Sequence, residues 1–122
     1  MFLATINKPK QLLCLSFIDR VRLDELERVR EQSALLLAEL APGFRLLTDL
    51  DRLESVDADC APEIGRLMEL CDEKGVSIVV RVIPDPTKDI GLNIIARFHY
   101  RKHRPRIVTC ETMAEAAELL SL

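Results

Sequence analysis

No stretch of this chain runs to about eighteen apolar residues, so no membrane-spanning helix is expected. The N-terminus, Met1-Phe2-Leu3-Ala4-Thr5-Ile6, has no basic segment leading into a long apolar one and does not read as a signal peptide; a cytoplasmic protein is the expectation. Glycine is scarce, at Gly43, Gly65, Gly75 and Gly91, and the four form neither a Walker loop nor a dinucleotide fingerprint. There is no nucleophile elbow and no HExxH. Ser16, Ser33, Ser55, Ser77 and Ser121 sit in no motif that would pair a serine with a histidine. No enzyme class is therefore indicated, and no cofactor or metal is called for.

The four cysteines, Cys14, Cys60, Cys71 and Cys110, form no CxxC pair and lack zinc-site spacing. Three fall in apolar segments and read as buried reduced thiols. Cys60 stands at a loop–helix junction, where a helix N-terminus can lower a thiol pKa; Asp57, Asp59 and Glu63 around it oppose that shift.

What remains is an ordinary globular balance: 122 residues, 48% apolar, 30% charged, net charge −3. This is the size of one domain, spanning residues 1–122, able to bury a core without staples. Charge is unevenly spread. The stretch from Asp49 to Glu63 carries six acids and one base, and that from Arg97 to Arg106 five bases and no acid.

Hydrophobic patterning gives the element order. Phe2–Ile6 and Gln11–Phe17 are two apolar runs around Asn7-Lys8-Pro9-Lys10, a hairpin signal. Three-to-four spacing predicts a helix over Leu23–Leu40, ended by Pro42-Gly43. Phe44–Leu50 reads as a buried strand leading into an acidic loop, then a helix over Ala61–Lys74 with Ile64, Leu67, Met68 and Cys71 as its apolar stripe. Val76–Ile83, the most β-branched run, is placed in the sheet interior. Asp85 and Pro86 start a third helix, about Pro86–Phe98, expected to bury Ile90, Ile94, Ile95 and Phe98. Arg106–Cys110 is a last strand, and Thr112-Met113-Ala114-Glu115 a capping box opening a closing helix. The expected fold class is α/β: a mostly parallel four- to five-stranded sheet with an N-terminal antiparallel hairpin and four helices.

This order resembles the STAS domain, the fold of the sporulation anti-anti-sigma factors (anti-sigma factor antagonists), over nearly the whole chain. The likeness is greatest from Leu46 to Leu70 and at Cys110-Glu111-Thr112-Met113-Ala114-Glu115-Ala116, which is similar to the family's strand followed by "s-x-e-e-A". In that family a strand ends in Asp-Leu, and about six residues later comes Asp-Ser-Ser-Gly at a helix start. Asp49-Leu50 matches the first, and Asp57-Ala58-Asp59-Cys60 falls where the second would sit. The second serine of the motif is the one a partner kinase phosphorylates; Asp59 stands there instead, so the resemblance implies a divergent STAS-like protein without the phosphorylatable serine.

Two candidate sites follow. Asp57, Ala58, Asp59, Cys60 and Glu63 would form a permanently acidic contact for a protein partner; Asp59 is also placed to cap the helix. The carboxylates are of the type that holds Mg²⁺, but neither a phosphate-binding loop nor a nucleophile accompanies them. Tyr100, Arg101, Lys102 and Arg104 are the candidates for anion binding in a segment where basic residues interleave with aromatics. The acidic overall charge argues against general nucleic-acid affinity. The reading that results is a non-enzymatic interaction module in bacterial signalling. Its partner, as the resemblance implies, is a regulatory protein such as a kinase-like anti-sigma factor or another signalling domain. The alternative is a domain binding a small ligand or anion (nucleotide, phosphate or lipid head group) through residues 97–106. The antiparallel edge and the last helix are the two surfaces on offer for a homodimer.

Overall fold

The computed structural model describes residues 1–122, the side chain of Pro86 excepted. Its strands are β1 (Phe2–Asn7), β2 (Leu12–Val21), β3 (Arg45–Val56), β4 (Ile78–Val82) and β5 (Arg106–Cys110). Its helices are α1 (Leu23–Leu37), α2 (Ala61–Lys74), α3 (Asp89–His99) and α4 (Met113–Leu119), with short 3-10 turns over Ala58–Cys60 and Pro86–Lys88. The five strands lie side by side in chain order; β1 runs antiparallel to β2 and every later pairing is parallel. Mixed α/β with an antiparallel hairpin at one edge is thus the fold, as the alternation of elements indicates.

Period-two alternation sorts the strand side chains onto two faces. Leu13, Leu15, Leu46 and Val79 join Leu26, Val29, Ile64, Leu67 and Ala96 in a core beneath α1, α2 and α3. Leu12, Leu47, Val80 and Val82 face the other way, where α4 supplies Ala116 and Leu120. Each large apolar side chain buried in this way stabilises the fold by roughly 1.5–3 kcal/mol before entropy is counted. Helix α2 has the expected bounds; Gly75 ends it at φ 96°, a left-handed conformation that suits glycine, with its N–H bonded back to Cys71 and Asp72. Thr112 caps α4, its hydroxyl accepting from Glu115 N–H.

Two expectations are corrected. The acidic segment after Leu50 is not a loop. β3 runs on six residues past Leu50 to Val56, twelve in all, because the ten-residue β2 extends beside it: past the end of β4 the two strands pair alone, Ile18 opposite Arg52 and Val21 opposite Val56, across two register shifts. Asp19, at φ 55°, marks the second shift. Helix α3, in turn, does not bury Ile90, Ile94 and Phe98. Its inward face is Leu92, Ile95, Ala96 and His99, for a reason given below.

Candidate functional site

The end of β3 delivers the chain to the acidic turn, and the turn is stapled to the end of β2. Asp57 N–H bonds to the Val21 carbonyl at 3.1 Å, and Cys60 N–H bonds to the Asp57 carbonyl at 2.9 Å. The Arg20 guanidinium grips the Asp57 carboxylate with two bonds, 2.9 and 3.1 Å. That grip holds the Asp57 carboxyl below the usual carboxylate range. Ala58 and Asp59 lie exposed on the outside of the turn. Neither the 3-10 turn nor α2 has a side-chain cap bond at its start, so Asp59 does not cap the helix; its charge faces solvent.

Two of the residues expected on this contact surface are turned inward. Cys60 is buried with its Sγ toward the Val21 carbonyl; burial first, then Asp59 and Asp57, pushes its thiol pKa up, the opposite of an activated nucleophile. Glu63 is buried between two arginines, Arg30 Nε at 2.6 Å and Arg66 Nη1 at 2.7 Å, and so ties α1 to α2. Burying a carboxylate is costly unless such partners compensate the lost hydration. The exposed part of the turn is therefore Ala58 and Asp59, with Asp57 half-buried beside them. Among the described residues no group of His, Cys, Asp or Glu is gathered to hold a metal ion.

Beside the turn stands α3, whose rotational setting is fixed from below. Arg81 projects from β4 into the core with 2% of its surface exposed. Its Nη1 donates to Asp89 Oδ1 at 3.0 Å and to Asn93 Oδ1 at 2.6 Å, one helical turn apart, while Asp89 also accepts from the Thr109 hydroxyl at 2.8 Å. The interior cation thus selects the Asp89–Asn93 face of α3, and the opposite side follows. Ile90, Ile94 and Phe98 remain 61%, 52% and 66% exposed, a stripe at i, i+4 and i+8 with nothing over it. Between this stripe and α2 runs a groove of about 470 Å³ bordered by Ala61, Pro62, Arg66, Ile94 and Phe98. A second crevice, about 220 Å³, opens between Asp57, Ala58, Val56, Lys88 and Leu92. Crevice and groove share Ala61 and Ile95, so the acidic turn at Asp57 and Ala58 adjoins the Ile94 and Phe98 part of the stripe.

The basic segment lies at the other end of α3. Its backbone is held by a buried carboxylate: Asp72 accepts the N–H groups of Arg101, Lys102 and His103 at 3.0, 2.7 and 2.8 Å. Burial pushes the Asp72 carboxyl up, but the three donors and His103 outweigh it and hold the pKa below its ordinary value. Of the residues expected to bind an anion, Tyr100 is turned into the core, where burial drives its phenol pKa far up. Arg101 and Arg104 stay exposed and share a groove with Arg97; Lys102 is exposed but does not line it. Arg104 has a left-handed backbone at φ 47° directly before Pro105, a strained setting for a residue with a Cβ, on the order of 1–3 kcal/mol.

Sequence reasoning put Ile90, Ile94 and Phe98 on the buried side of α3, counted Arg97 in the basic stretch without singling it out, and missed Arg81. A signal for the last was present: one arginine inside the run Ile78-Val79-Val80-Arg81-Val82-Ile83 demands a buried counter-charge, and Asp89 with Asn93 four residues on supplies it.

No protein-family model and no curated protein matches this sequence. Solved structures do. An uncharacterised protein of the DUF3478 family with a SpoIIAA-like fold, from Shewanella loihica, superposes with TM-score 0.72 at 14% identity, covering 98% of this chain and 92% of that one. The anti-sigma factor antagonist SpoIIAA in its unphosphorylated form gives 0.64 at 15% identity over 99% and 98%. The Bacillus cell fate determinant SpoIIAA in its phosphorylated form gives 0.58 at 16% over 98% and 99%. At these identities the likeness is one of architecture, and it extends from end to end: this chain has the SpoIIAA-like fold.

Proposed function

We propose that this protein is a non-enzymatic interaction module of STAS type in bacterial regulatory signalling, acting in the cytoplasm. It contacts a regulatory protein, of the kinase-like anti-sigma or signalling-domain class, through the face built from Asp57, Ala58 and Asp59, the start of α2 and the outer side of α3. The observation that carries this reading is the uncovered stripe Ile90, Ile94 and Phe98, set outward by a buried arginine and adjoining a fixed negative charge. An apolar centre rimmed by charge is the anatomy of a protein-binding patch. The 220 Å³ crevice beside Asp57 takes an apolar side chain of the partner, and Asp59 provides constant charge complementarity. The unphosphorylated SpoIIAA it resembles is an anti-sigma factor antagonist, which supports a partner of that class.

The test is site-specific photo-cross-linking in cells. A photoreactive residue at position 59 and another at position 94 should trap the same protein, and one at exposed Leu35 on α1 should not. Asp59→Lys and Ile94→Asp should each abolish that adduct. A partner that both variants still bind normally would rule the reading out, and cross-linking of the chain to a second copy of itself would replace it with a homodimer.

A further inference from the structure

The two edges of the sheet are built differently. β5 is short, follows Arg104 and Pro105, and opens on the exposed Arg106, features that discourage another strand from pairing there. β1 has none of these. Its six residues, Phe2-Leu3-Ala4-Thr5-Ile6-Asn7, include no charge and no proline, and they pair with β2 in unbroken register from Phe2 opposite Phe17 to Asn7 opposite Leu12. Met1 and Ile18 exchange both backbone bonds, at 2.7 and 2.6 Å, so the alternation of an antiparallel ladder turns the backbone groups of Leu3, Thr5 and Asn7 toward β2. The N–H and C=O groups of Phe2, Ala4 and Ile6 point out of the open edge, and none of them has a hydrogen-bond partner among the described residues.

We infer that β1 is a self-pairing edge, at which two copies of this chain join their sheets into one about a two-fold axis at Ala4. Antiparallel pairing of β1 with its own copy sets Ala4 against Ala4 and Phe2 against Ile6, and the outward groups of all three meet as hydrogen-bonded pairs. Leu3, 47% exposed, comes to lie against Thr5 of the second copy, on the sheet face away from α1. Charge favours a copy of this chain over an unrelated strand. α1 links the parallel strands β2 and β3, so it runs back along β2, and its start, with Asp24, Glu25 and Glu27 following Arg22, stands at the Phe2 end of β1; Glu25 there reaches the Met1 ammonium at 3.5 Å. The hairpin turn with Lys8 and Lys10 stands at the other end. The two-fold axis reverses one copy on the other and brings each basic turn to an acidic helix start. Such a contact is isologous and consumes both β1 edges, and with β5 guarded, assembly closes at the dimer. α3 is held from β4 and β5 through Arg81 and Thr109, away from this edge, so the dimer displays the face described above twice.

Sedimentation of the whole protein over a range of concentrations tests this. The parent should be a dimer. Leu3→Lys, which sets a charge on the edge at an exposed position, should raise the dissociation constant by about tenfold or more. Ala4→Pro, which removes the N–H at the axis and suits an edge strand, should leave a monomer. Leu119→Lys, on the exposed side of α4, should dimerise as the parent does. On the unmodified protein, amide exchange at Ala4 and Ile6 should slow as concentration rises, while Leu3 and Thr5, bonded within the chain, exchange slowly throughout. A parent that is monomeric at every concentration, a dimer undiminished by Leu3→Lys, a dimer broken by Leu119→Lys, or exchange at Ala4 and Ile6 that ignores concentration overturns the proposal.

Discussion

The imidazole of His99 on α3 fills the notch that Gly65 leaves on α2. A Cβ at position 65 would overlap the ring, and the ring is held in place by Glu69, whose Oε1 lies 2.6 Å from His99 Nδ1. Gly65→Ala gains about 1 kcal/mol of helix propensity and loses more by overpacking, which costs about 1–3 kcal/mol. The expected net result is a small destabilisation in urea unfolding. Gly65→Ala combined with His99→Ala should recover the helix gain and exceed the single variant in stability.

Replacing Ile90, Ile94 and Phe98 together by serine should change unfolding free energy by less than about 1 kcal/mol, since exposed positions contribute little. The same triple variant should lose the partner adduct. A large drop in stability would mean that the stripe is structural after all.

Arg81→Ala leaves Asp89 without its cation, and removing one member of a buried pair costs about 3–5 kcal/mol. Beyond stability, α3 should lose its rotational setting. An Ile94→Cys probe, which should react rapidly with a thiol reagent in the parent protein, should react more slowly in an Arg81→Met background as the helix rolls its apolar side inward.

Asp72 has a folded-state pKa below its ordinary 3.8, so its contribution to stability is complete above that value and is lost as pH falls through the folded pKa. At pH 3 the parent protein should have begun to lose the increment that it holds in full at pH 7. Asp72→Asn should be less stable at pH 7 by about 2–3 kcal/mol, the worth of hydrogen bonds to a charged acceptor, and its stability should vary less over the same range. Chemical denaturation at the two pH values gives the comparison.

Ser33 has a fully buried hydroxyl with no partner among the described residues. Ser33→Ala removes an unsatisfied polar atom and improves helix propensity, so it should raise stability by about 1 kcal/mol, read as a higher urea midpoint at unchanged slope.

How much of this was legible beforehand differs by element. The bounds of α2 and the strand Arg106–Cys110 could be read directly, because Pro62 and Gly75 bracket one and three β-branched residues, Ile107, Val108 and Thr109, centre the other. The extension of β3 could not. Asp51-Arg52-Leu53-Glu54 looks like a loop until Ile18–Val21 is known to run alongside it with bulges, and that pairing is non-local. α3 carries two apolar stripes, and periodicity alone cannot choose between them; the choice is made by a hydrogen-bonding requirement on another element, Arg81. At the candidate site, Asp57 and Asp59 were found by position, whereas the inward turn of Cys60, Glu63 and Tyr100 depended on tertiary neighbours.

Because the setting of α3 is dictated from the sheet by Arg81, positions 90, 94 and 98 are relieved of any folding duty. Fold and recognition are written in separate residues of the same helix. Descendants of this sequence can exchange those three side chains one at a time without passing through an unfolded form, so among related chains the outer stripe should change with the companion it meets, while Arg81, Asp89 and Asn93 stay as they are.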